Sequence, residues 1–377
     1  MSQDFLPFTR PSIDDATISA VGEVLRSGWI TSGPQVREFE AQLSAYCGGR
    51  PVRVMSSATG ALEIALALAG IGPGDEVITP ALSWTATANV IVRAGARPVF
   101  VDIDPRTRNL DLSLVEAAIT PRTRMLLPVD LAGLPVDRKR LYAIARRHRL
   151  RVLEDAAQSM GARWNGERIG AGGDLVSISF HPNKNITSIE GGCLVLNDAD
   201  EARRCELWRL QGVERSADGD YDCTLAGAKH NLTDVAACVG LHQLRRLEEF
   251  NARRALLARR YFDRFDRGCG CELPLQDFEH GNWHMFQVVL PPQVERGEFI
   301  RTMHAAGIGV GVHYPALHLL SLYRGLGYGP GDFPQAERVG RGIATLPLFP
   351  AMGEQDVDRV CVQVARILRP VAARASA

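Results

Sequence analysis

The sequence predicts an α/β protein with a mainly parallel sheet of about seven strands, helices on both faces, and a small α+β domain at the C-terminal end. Seven short β-rich apolar runs lie between residues 50 and 200. Segments in which apolar residues recur every three or four positions separate these runs, and this alternation is typical of a parallel sheet covered by helices. Beyond residue 261 glycine and proline become more frequent around short strand and helix patterns, which predicts the smaller domain.

The predicted strands cover residues 52–55, 76–79, 98–101, 125–129, 151–153, 176–180 and 193–196, with helices over segments such as 60–70 and 138–148. A long helical region at 233–261 carries valines and leucines on one side and charged residues on the other. After it we expect a strand at 286–290 and helices at about 298–306 and 355–368. We place a large domain at residues 1–250 and a small domain at 251–377, and the N-terminal segment is a candidate to pack on the small one.

Composition and charge exclude several classes of protein. The 377 residues include 43 Lys and Arg and 43 Asp and Glu, and this balance does not attract nucleic acid or an anionic membrane surface. There is no apolar run of about 18 residues that would span a membrane, and the N-terminal residues lack the pattern of a secretory signal. Eight scattered cysteines favour free thiols. We therefore expect a cytoplasmic protein with no metal site and no nucleic-acid or membrane partner.

Small hydroxylic residues at positions 56–60 lie at the junction of a predicted strand and a predicted helix. The first N–H groups of a helix have no partner within it, and the helix dipole is positive at this end. Such a junction holds a phosphate without a Walker lysine, so the segment is a candidate phosphate site. The alternative is an ordinary capped helix start.

Two further polar groups follow strand ends. Glu154 and Asp155 come directly after the strand at 151–153, where α/β sheets bind ligands, and the carboxylate of Asp155 is suited to keeping a ring nitrogen protonated. Lys184 lies in the loop after the strand that ends near Ser179, where an amine is placed to form a Schiff base with an aldehyde cofactor. The alternatives are a helix cap for Asp155 and a solvated surface charge for Lys184. The order of phosphate site, strand-end aspartate and loop lysine predicts a single site.

Long motifs in this order resemble the DegT/DnrJ/StrS sugar aminotransferases, a family of fold-type I enzymes that use pyridoxal 5'-phosphate (PLP). The resemblance covers almost the whole chain. It rests on residues 8–11, 27–34, 74–80, 154–158, 179–187, 190–192, 229–234, 311–314 and 317–318. Within the family the chain is most similar to the branch of UDP-4-amino-4-deoxy-L-arabinose:2-oxoglutarate aminotransferases.

The resemblance implies a role for each matched residue. Lys184 would be the Schiff-base lysine and proton shuttle, and Asp155 would pair with the pyridinium nitrogen. Trp84 would stack on the ring and Gln158 would lie at its phenolic oxygen; the alternatives are a core aromatic residue and a surface cap. The phosphate would be held by Thr59, the amide of Gly60, Ser179 and, from a second subunit, Asn231. The sugar nucleotide would lie against Lys229, His313, Tyr314 and His318.

The implied activity is transfer of the amino group of L-glutamate, which becomes 2-oxoglutarate, to the 4-keto carbon of a nucleotide-linked sugar, with UDP favoured. The resemblance also implies a homodimer with shared active sites that serves surface polysaccharide or lipid A modification. Two alternatives stay open: a PLP-dependent sugar dehydratase, in which the family carries His instead of the lysine, and a non-catalytic sugar-nucleotide-binding regulatory protein. Two positions depart from the pattern, because Asp130 replaces a common His and Pro315 stands where the arabinose branch carries Arg.

Overall fold

A computed structural model describes residues 5–375. Over that range the strands are β1 (Val52–Met55), β2 (Glu76–Pro80), β3 (Arg97–Val101), β4 (Thr123–Leu126), β5 (Arg151–Asp155), β6 (Arg163–Trp164), β7 (Glu167–Arg168), β8 (Leu175–Ser179), β9 (Gly192–Val195), β10 (Val213–Arg215), β11 (Tyr221–Cys223), β12 (Phe286–Val289) and β13 (Ile343–Leu346). The α-helices are α1 (Asp15–Ser27), α2 (Pro34–Tyr46), α3 (Ala58–Leu68), α4 (Thr85–Arg93), α5 (Arg138–His148), α6 (Ala199–Arg209), α7 (Asp234–Arg245), α8 (Leu247–Arg264), α9 (Arg296–Ala305), α10 (Ser321–Arg324), α11 (Pro334–Gly342) and α12 (Glu354–Ala375). Among these helices of the described chain, none combines the length and the apolar character needed to cross a membrane.

Seven strands of the described residues form one sheet in the order β1-β9-β8-β5-β4-β2-β3. The pairs from β8 to β3 are parallel, whereas β9 is antiparallel to both of its neighbours. The predicted mainly parallel, seven-stranded sheet is therefore confirmed.

Helices cover both faces of this sheet. Ile178 of β8 packs in one buried cluster with Phe39 of α2, and Leu175 of the same strand packs in another with Leu62 of α3. Successive side chains of a strand point to opposite faces, so a strand that is buried on both sides is apolar throughout. This explains why the strands are visible in the sequence as mainly apolar runs.

The helical region predicted at 233–261 is two helices rather than one. Arg246 has φ −103° and ψ 4° and separates α7 from α8. Its guanidinium pairs with Glu249 at 2.8 Å and with Asp14 at 3.1 Å. Arginine has a high helix propensity, so the sequence pattern does not reveal this break. Helix α8 then contributes Phe250 to the core beneath the sheet and Leu257 to the core of the C-terminal region.

The C-terminal region is built around the antiparallel pair of β12 and β13, with α8, α9 and α12 packed against it. Leu6, near the N-terminus, pairs with Ile308 and belongs to the same buried cluster. The segment after α9 reaches back to the large sheet, where the amide of Leu317 donates to the carbonyl of Ala81 at 2.8 Å. This contact brings the C-terminal region to the edge of the sheet at which β5 and β8 end.

Candidate active site

A cavity of about 350 Å³ lies where β5 and β8 end and α3 begins. Parallel sheets bind ligands at this edge, and the volume is in the range of a small-molecule site. Eight of the predicted residues line the cavity: Thr59, Trp84, Asp155, Gln158, Ser179, Lys184, His313 and Tyr314. A larger open cleft of about 820 Å³, at the beginning of β5, is lined by none of them.

Lys184 lies in the loop between β8 and β9, with its amide donating to the carbonyl of His181 at 2.9 Å. Its side chain is partly buried on the wall of the cavity. Among residues 5–375 the amine has no hydrogen-bond or ion-pair partner. Burial lowers the pKa of Lys184 to about 8, although the charge of Asp155 acts in the opposite direction. A large fraction of the amine is therefore neutral near pH 8, and the neutral amine is the nucleophilic form.

Asp155, the last residue of β5, is buried at the floor of the cavity. Its Oδ2 accepts a hydrogen bond from the Thr87 hydroxyl at 2.7 Å, and its Oδ1 accepts one from the amide of Ala157 at 3.2 Å. Burial raises the pKa of this carboxyl group, and the hydrogen bond from Thr87 opposes the rise. No basic side chain in the described part of the chain forms an ion pair with it, so the carboxylate is suited to a cationic group of a ligand.

The N-terminus of α3 forms another wall of the cavity. The hydroxyl of Ser57 caps the helix and accepts a hydrogen bond from the amide of Gly60 at 3.0 Å, so that amide already has a partner. Thr59 and Ser179 line the cavity beside this helix end. At Gly60 a β-carbon would lie 2.8 Å from Nδ1 of His230, which explains the need for glycine. The helix is capped as the alternative reading expected, and its N-terminus also faces the cavity.

The aromatic wall consists of Trp84 and Tyr314, whose ring centroids are 5.6 Å apart. Trp84 is 57% exposed and therefore is not a core residue. Gln158 is buried rather than a surface cap. Its Oε1 accepts from the amide of Ala132 at 2.7 Å, and its Nε2 donates to the Tyr314 hydroxyl at 3.1 Å. Gln158 thus fixes the position of Tyr314 against the end of the sheet.

His313 is held on two sides. Its ring stacks on Phe8 with centroids 4.9 Å apart, and Nδ1 lies 3.0 Å from the hydroxyl of Thr345. Burial lowers the pKa of His313 to about 4, and the charge of Lys184 acts in the same direction. The imidazole is therefore neutral at physiological pH and offers the cavity a polar group without a charge.

Four predicted residues do not line the cavity: Gly60, whose amide is bonded to Ser57, and Lys229, Asn231 and His318. Asn231 donates from Nδ2 to the hydroxyl of Ser32 at 2.8 Å, and its Oδ1 accepts from the amine of Lys229. His318 is fully buried in the C-terminal region, where Nε2 lies 3.0 Å from Oε1 of Glu337. The structure therefore does not bring Lys229, Asn231 and His318 to the cavity of their own chain.

Some residues that keep the predicted site residues in position were not predicted from the sequence. Thr87 is the main one, because its hydroxyl bonds both Asp155 and, at 2.8 Å, the hydroxyl of Ser83. The sequence carries no sign of the bond to Asp155, because the two residues are 68 positions apart. Asn185, next to Lys184, is a second such residue. Its side-chain Nδ2 donates to Oδ1 of Asn251 in α8 at 2.7 Å, and its Oδ1 lies 3.0 Å from Nδ1 of His284.

An ion cluster lies behind Asp155. Arg138 is within 2.7 Å of both Asp130 and Glu154, and all three side chains are largely buried. Ser159 also donates to Asp130 at 2.7 Å, and the amide of Asp130 donates to the carbonyl of Asp155 at 3.2 Å. Asp130, the position that departs from the family pattern, is thus a structural partner of the strand end that carries Asp155.

The chain is similar over nearly its whole length to known aminotransferases. The chain matches the DegT/DnrJ/EryC1/StrS aminotransferase family over residues 11–365. It is similar to the putative sugar aminotransferase Spr1654 from Streptococcus pneumoniae in its PMP form, at 32% identity and a TM-score of 0.92, over 97% of this chain and 100% of that one. It is also similar to DesV of S. venezuelae, at 35% identity and a TM-score of 0.88, over 98% of each chain.

PseC of Helicobacter pylori, an aminotransferase of pseudaminic acid biosynthesis, is 25% identical, with a TM-score of 0.90 over 97% of this chain and 100% of that one. These structures share the fold-type I architecture that the sequence predicts, and none of them singles out the arabinose branch. By its sequence over nearly the whole length and by its fold, the chain belongs to the DegT/DnrJ/EryC1/StrS aminotransferase family.

Proposed function

We propose that the protein is a PLP-dependent aminotransferase that transfers the amino group of L-glutamate to the 4-keto carbon of a nucleotide-linked sugar, with UDP the favoured nucleotide. Lys184 and Asp155 carry this proposal. Across residues 5–375 the amine has no protein partner and the buried carboxylate has no basic partner, yet both line one cavity. We further propose that the enzyme is a cytoplasmic homodimer that serves surface polysaccharide or lipid A modification.

The residues of the cavity fit PLP. The N-terminus of α3, with Thr59 and Ser179, would hold the phosphate. Asp155 would hold the ring nitrogen in its protonated form. Burial raises the pKa of Asp155 in the protein alone, and the positive charge of the protonated ring nitrogen would lower it again. Trp84, exposed on the cavity wall, would stack on the ring, and Gln158 would lie at the phenolic oxygen.

PLP supplies an electron sink for the carbanion that amino-group transfer requires. The protein supplies the proton transfers, because Nζ of Lys184 accepts a proton from the α-carbon of glutamate and later donates one to C4 of the sugar. A pKa of about 8 makes this amine a base and an acid of comparable strength near neutral pH. The hydrogen bond from Thr87 favours the ionised form of Asp155, and Gln158 holds Tyr314 over the cavity.

The sugar nucleotide would enter over His313 and Tyr314. Lys229 and Asn231 lie outside the cavity of their own chain, and we propose that they act in the site of a second copy. We propose that His318 has a structural role, since it is buried against Glu337. Without an arginine at position 315 the site lacks a fork-shaped donor for the diphosphate, so we expect weak discrimination between sugars, worth about 1–3 kcal/mol for one methyl group.

The test is single-turnover amination with the pyridoxamine form of the enzyme. A UDP-linked keto-pentose, a UDP-linked 4-keto-6-deoxy-N-acetylhexosamine and a dTDP-linked 4-keto-6-deoxyglucose are offered in turn, and the loss of pyridoxamine absorbance is followed. We expect both UDP sugars to react. Reaction with the dTDP sugar alone would overturn the UDP assignment. If none reacts while glutamate still converts the cofactor to its amine form, the acceptor class is wrong.

A further inference from the structure

A short extended segment of the chain, made of Lys229, His230 and Asn231, lies beside the end of β1. Asn231 pairs with Met55 in an antiparallel bridge, and the amide of Ser56 donates to the carbonyl of His230 at 2.7 Å. Successive side chains of an extended chain point to opposite sides. Lys229 and Asn231 are therefore on one side of this segment, and His230 is on the other.

The side that carries Lys229 and Asn231 is joined by side-chain hydrogen bonds. The amine of Lys229 donates to Oδ1 of Asn231, and Nδ2 of Asn231 donates to the hydroxyl of Ser32 at 2.8 Å. Lys229 is exposed and Asn231 is half-buried. Neither residue lines the cavity of its own chain. These are the two residues that we propose to act in the active site of a second copy.

His230, on the opposite side, packs against the first turn of α3. Its ring fills the space beside Gly60, where a β-carbon would lie 2.8 Å from Nδ1. Nε2 of His230 lies 3.2 Å from Oε2 of Glu63, and the two side chains are only 21% and 20% exposed. The imidazole holds the pKa of Glu63 below its usual value. Arg93 fixes the carboxylate from the other end, with Nε 2.9 Å from Oε1.

The turn of α3 that holds His230 also forms part of the active site of the same chain. Thr59 lines the cavity, and Gly60 follows it directly. Gly60 and Glu63 are three residues apart and are therefore neighbours on the helix surface. His230 itself does not line the cavity. The extended segment is thus fastened, through His230, to the helix end that would hold the PLP phosphate of its own chain.

We propose that His230 is a positioning residue that directs Lys229 and Asn231 towards the active site of the second copy. In an extended chain the directions of the first and third side chains are fixed once the middle one is fixed. The ring of His230 is held between Gly60 and Glu63, so the backbone of the segment cannot rotate freely. This inference rests on the proposed function, because it requires a shared active site.

Heterodimers with one Lys184→Ala chain test the proposal, because such a dimer captures PLP covalently at a single site. The two chains carry different affinity tags, are co-expressed and purified in tandem, and are freed of cofactor. PLP is titrated and fixed with borohydride, and intact mass gives the modified fraction of the chain that keeps Lys184. The Lys184→Ala chain of the same sample gives the background. The measured quantity is cofactor affinity, which does not depend on turnover.

His230→Leu removes the pair with Glu63 and keeps an apolar side chain beside Gly60. On the Lys184→Ala chain, this change should weaken PLP binding at the working site of the other chain about tenfold, as expected when one hydrogen bond that positions a ligand group is lost. On the chain that keeps Lys184, it should leave the affinity at that of the reference heterodimer. In that arrangement the working site receives Asn231 from an unchanged segment.

Three further variants are compared on the Lys184→Ala chain. His230→Gln keeps a donor for Glu63 and should restore most of the affinity. Glu63→Gln weakens the same pair, leaves the histidine in place and should cause a smaller loss; it replaces His230→Leu if that chain does not assemble. His148→Leu is the matched control, because it removes an exposed pair with Glu116 at 2.8 Å, and it should leave the affinity unchanged.

A loss of affinity only when His230→Leu is on the chain that keeps Lys184 would overturn the proposal, since the histidine would then support its own phosphate site. Unchanged affinity in both arrangements, or an equal loss in both, would overturn it as well. Asn231→Ala on the Lys184→Ala chain separates this failure from that of the proposed function. If Asn231→Ala weakens PLP binding and His230→Leu does not, only the role of His230 is wrong. If neither does, the shared active site is wrong, and the role of His230 is wrong with it.

Discussion

The hydroxyl of Thr87 lies 2.7 Å from Oδ2 of Asp155 and donates a hydrogen bond to it. A buried carboxylate needs such donors to stay ionised, because burial favours its neutral form. Thr87 itself is held by Ser83, whose hydroxyl lies 2.8 Å away. The ionisation of Asp155, on which the proposed cofactor chemistry depends, is therefore set partly by a residue of α4 that does not line the cavity.

Thr87→Val should weaken the binding of PLP. The change keeps the shape of the side chain but removes the donor, which raises the pKa of Asp155 and favours the neutral acid. A hydrogen bond to a charged group is worth about 1.5–3 kcal/mol, so we expect a loss in PLP affinity of about tenfold or more. Absorbance titration of the cofactor-free protein measures it. Thr87→Ser restores the hydroxyl and should restore the affinity; unchanged affinity in Thr87→Val would contradict the role of this bond.

The sequence predicts the sheet and the main site residues for one physical reason. Strands buried on both faces are mainly apolar, so the acidic pair Glu154 and Asp155 marks the end of β5, whereas β8 carries Ser177 within the strand as well as Ser179 at its end. Thr87 carries no such mark, because a threonine within a helix has the same appearance whether its hydroxyl is free or bonded. Its partner lies 68 positions away, and only the fold brings the two together.

His318 and Arg108 are two residues whose surroundings could not be predicted from the sequence. His318 is close in sequence to His313 and Tyr314, yet it is buried against Glu337 and not at the cavity, since nearness in a motif does not fix the direction of a side chain. Arg108 belongs to no motif. It lines a small cavity that forms only where residues 106–108, 131–134 and 274–287 meet. The positions of both side chains depend on tertiary packing, and no local sequence pattern indicates them.

Lys184 should capture PLP covalently, with a rate that rises with pH through about 8. The neutral amine is the reactive form, and burial lowers the pKa of Lys184 to about 8. Stopped-flow absorbance of the cofactor-free protein mixed with PLP over a pH series measures the rate. Borohydride should then fix the cofactor on the peptide that contains Lys184. Lys184→Ala should bind PLP only reversibly and lose all turnover, and a wild-type protein that takes up no PLP would contradict the assignment.

The stability of the protein should fall in acid partly through His313. Burial lowers its pKa to about 4, below the ordinary value near 6.5, so the unfolded chain binds more protons than the folded one between these two values. The contribution is complete above about pH 6.5 and is lost as the pH falls towards about 4. Urea unfolding at pH 7 and at pH 5 should show a smaller loss for His313→Gln than for the wild type. His304→Gln, a change at an exposed position of α9, is the control and should behave like the wild type.

Arg138→Met should destabilise the fold strongly. The guanidinium lies within 2.7 Å of both Asp130 and Glu154, and its loss leaves two buried carboxylates without a counter-charge. Breaking a buried ion pair in this way costs about 3–5 kcal/mol. Arg147→Met removes an exposed pair with Glu116 and should cost no more than about 1 kcal/mol. Equal midpoints of urea unfolding for the two variants would show that the buried cluster adds no stability.

Asn231 provides the test of the shared active site. Its side chain is bonded to Ser32 and Lys229 and lies outside the cavity of its own chain, which supports a role in the site of a second copy. In a two-fold dimer each subunit then supplies Lys184 to its own site and Asn231 to the other. Lys184→Ala and Asn231→Ala should each reduce activity sharply, yet a heterodimer of the two carries one site with both residues intact.

Co-expression of the two variants with different affinity tags, followed by tandem purification, isolates this heterodimer. Its activity should be about half that of the wild-type dimer, since one of the two sites is complete. A heterodimer of Lys184→Ala with the wild type gives the reference for a single working site. If the purified Lys184→Ala and Asn231→Ala heterodimer is as inactive as its parents, Asn231 acts within its own chain, and the shared-site arrangement is wrong.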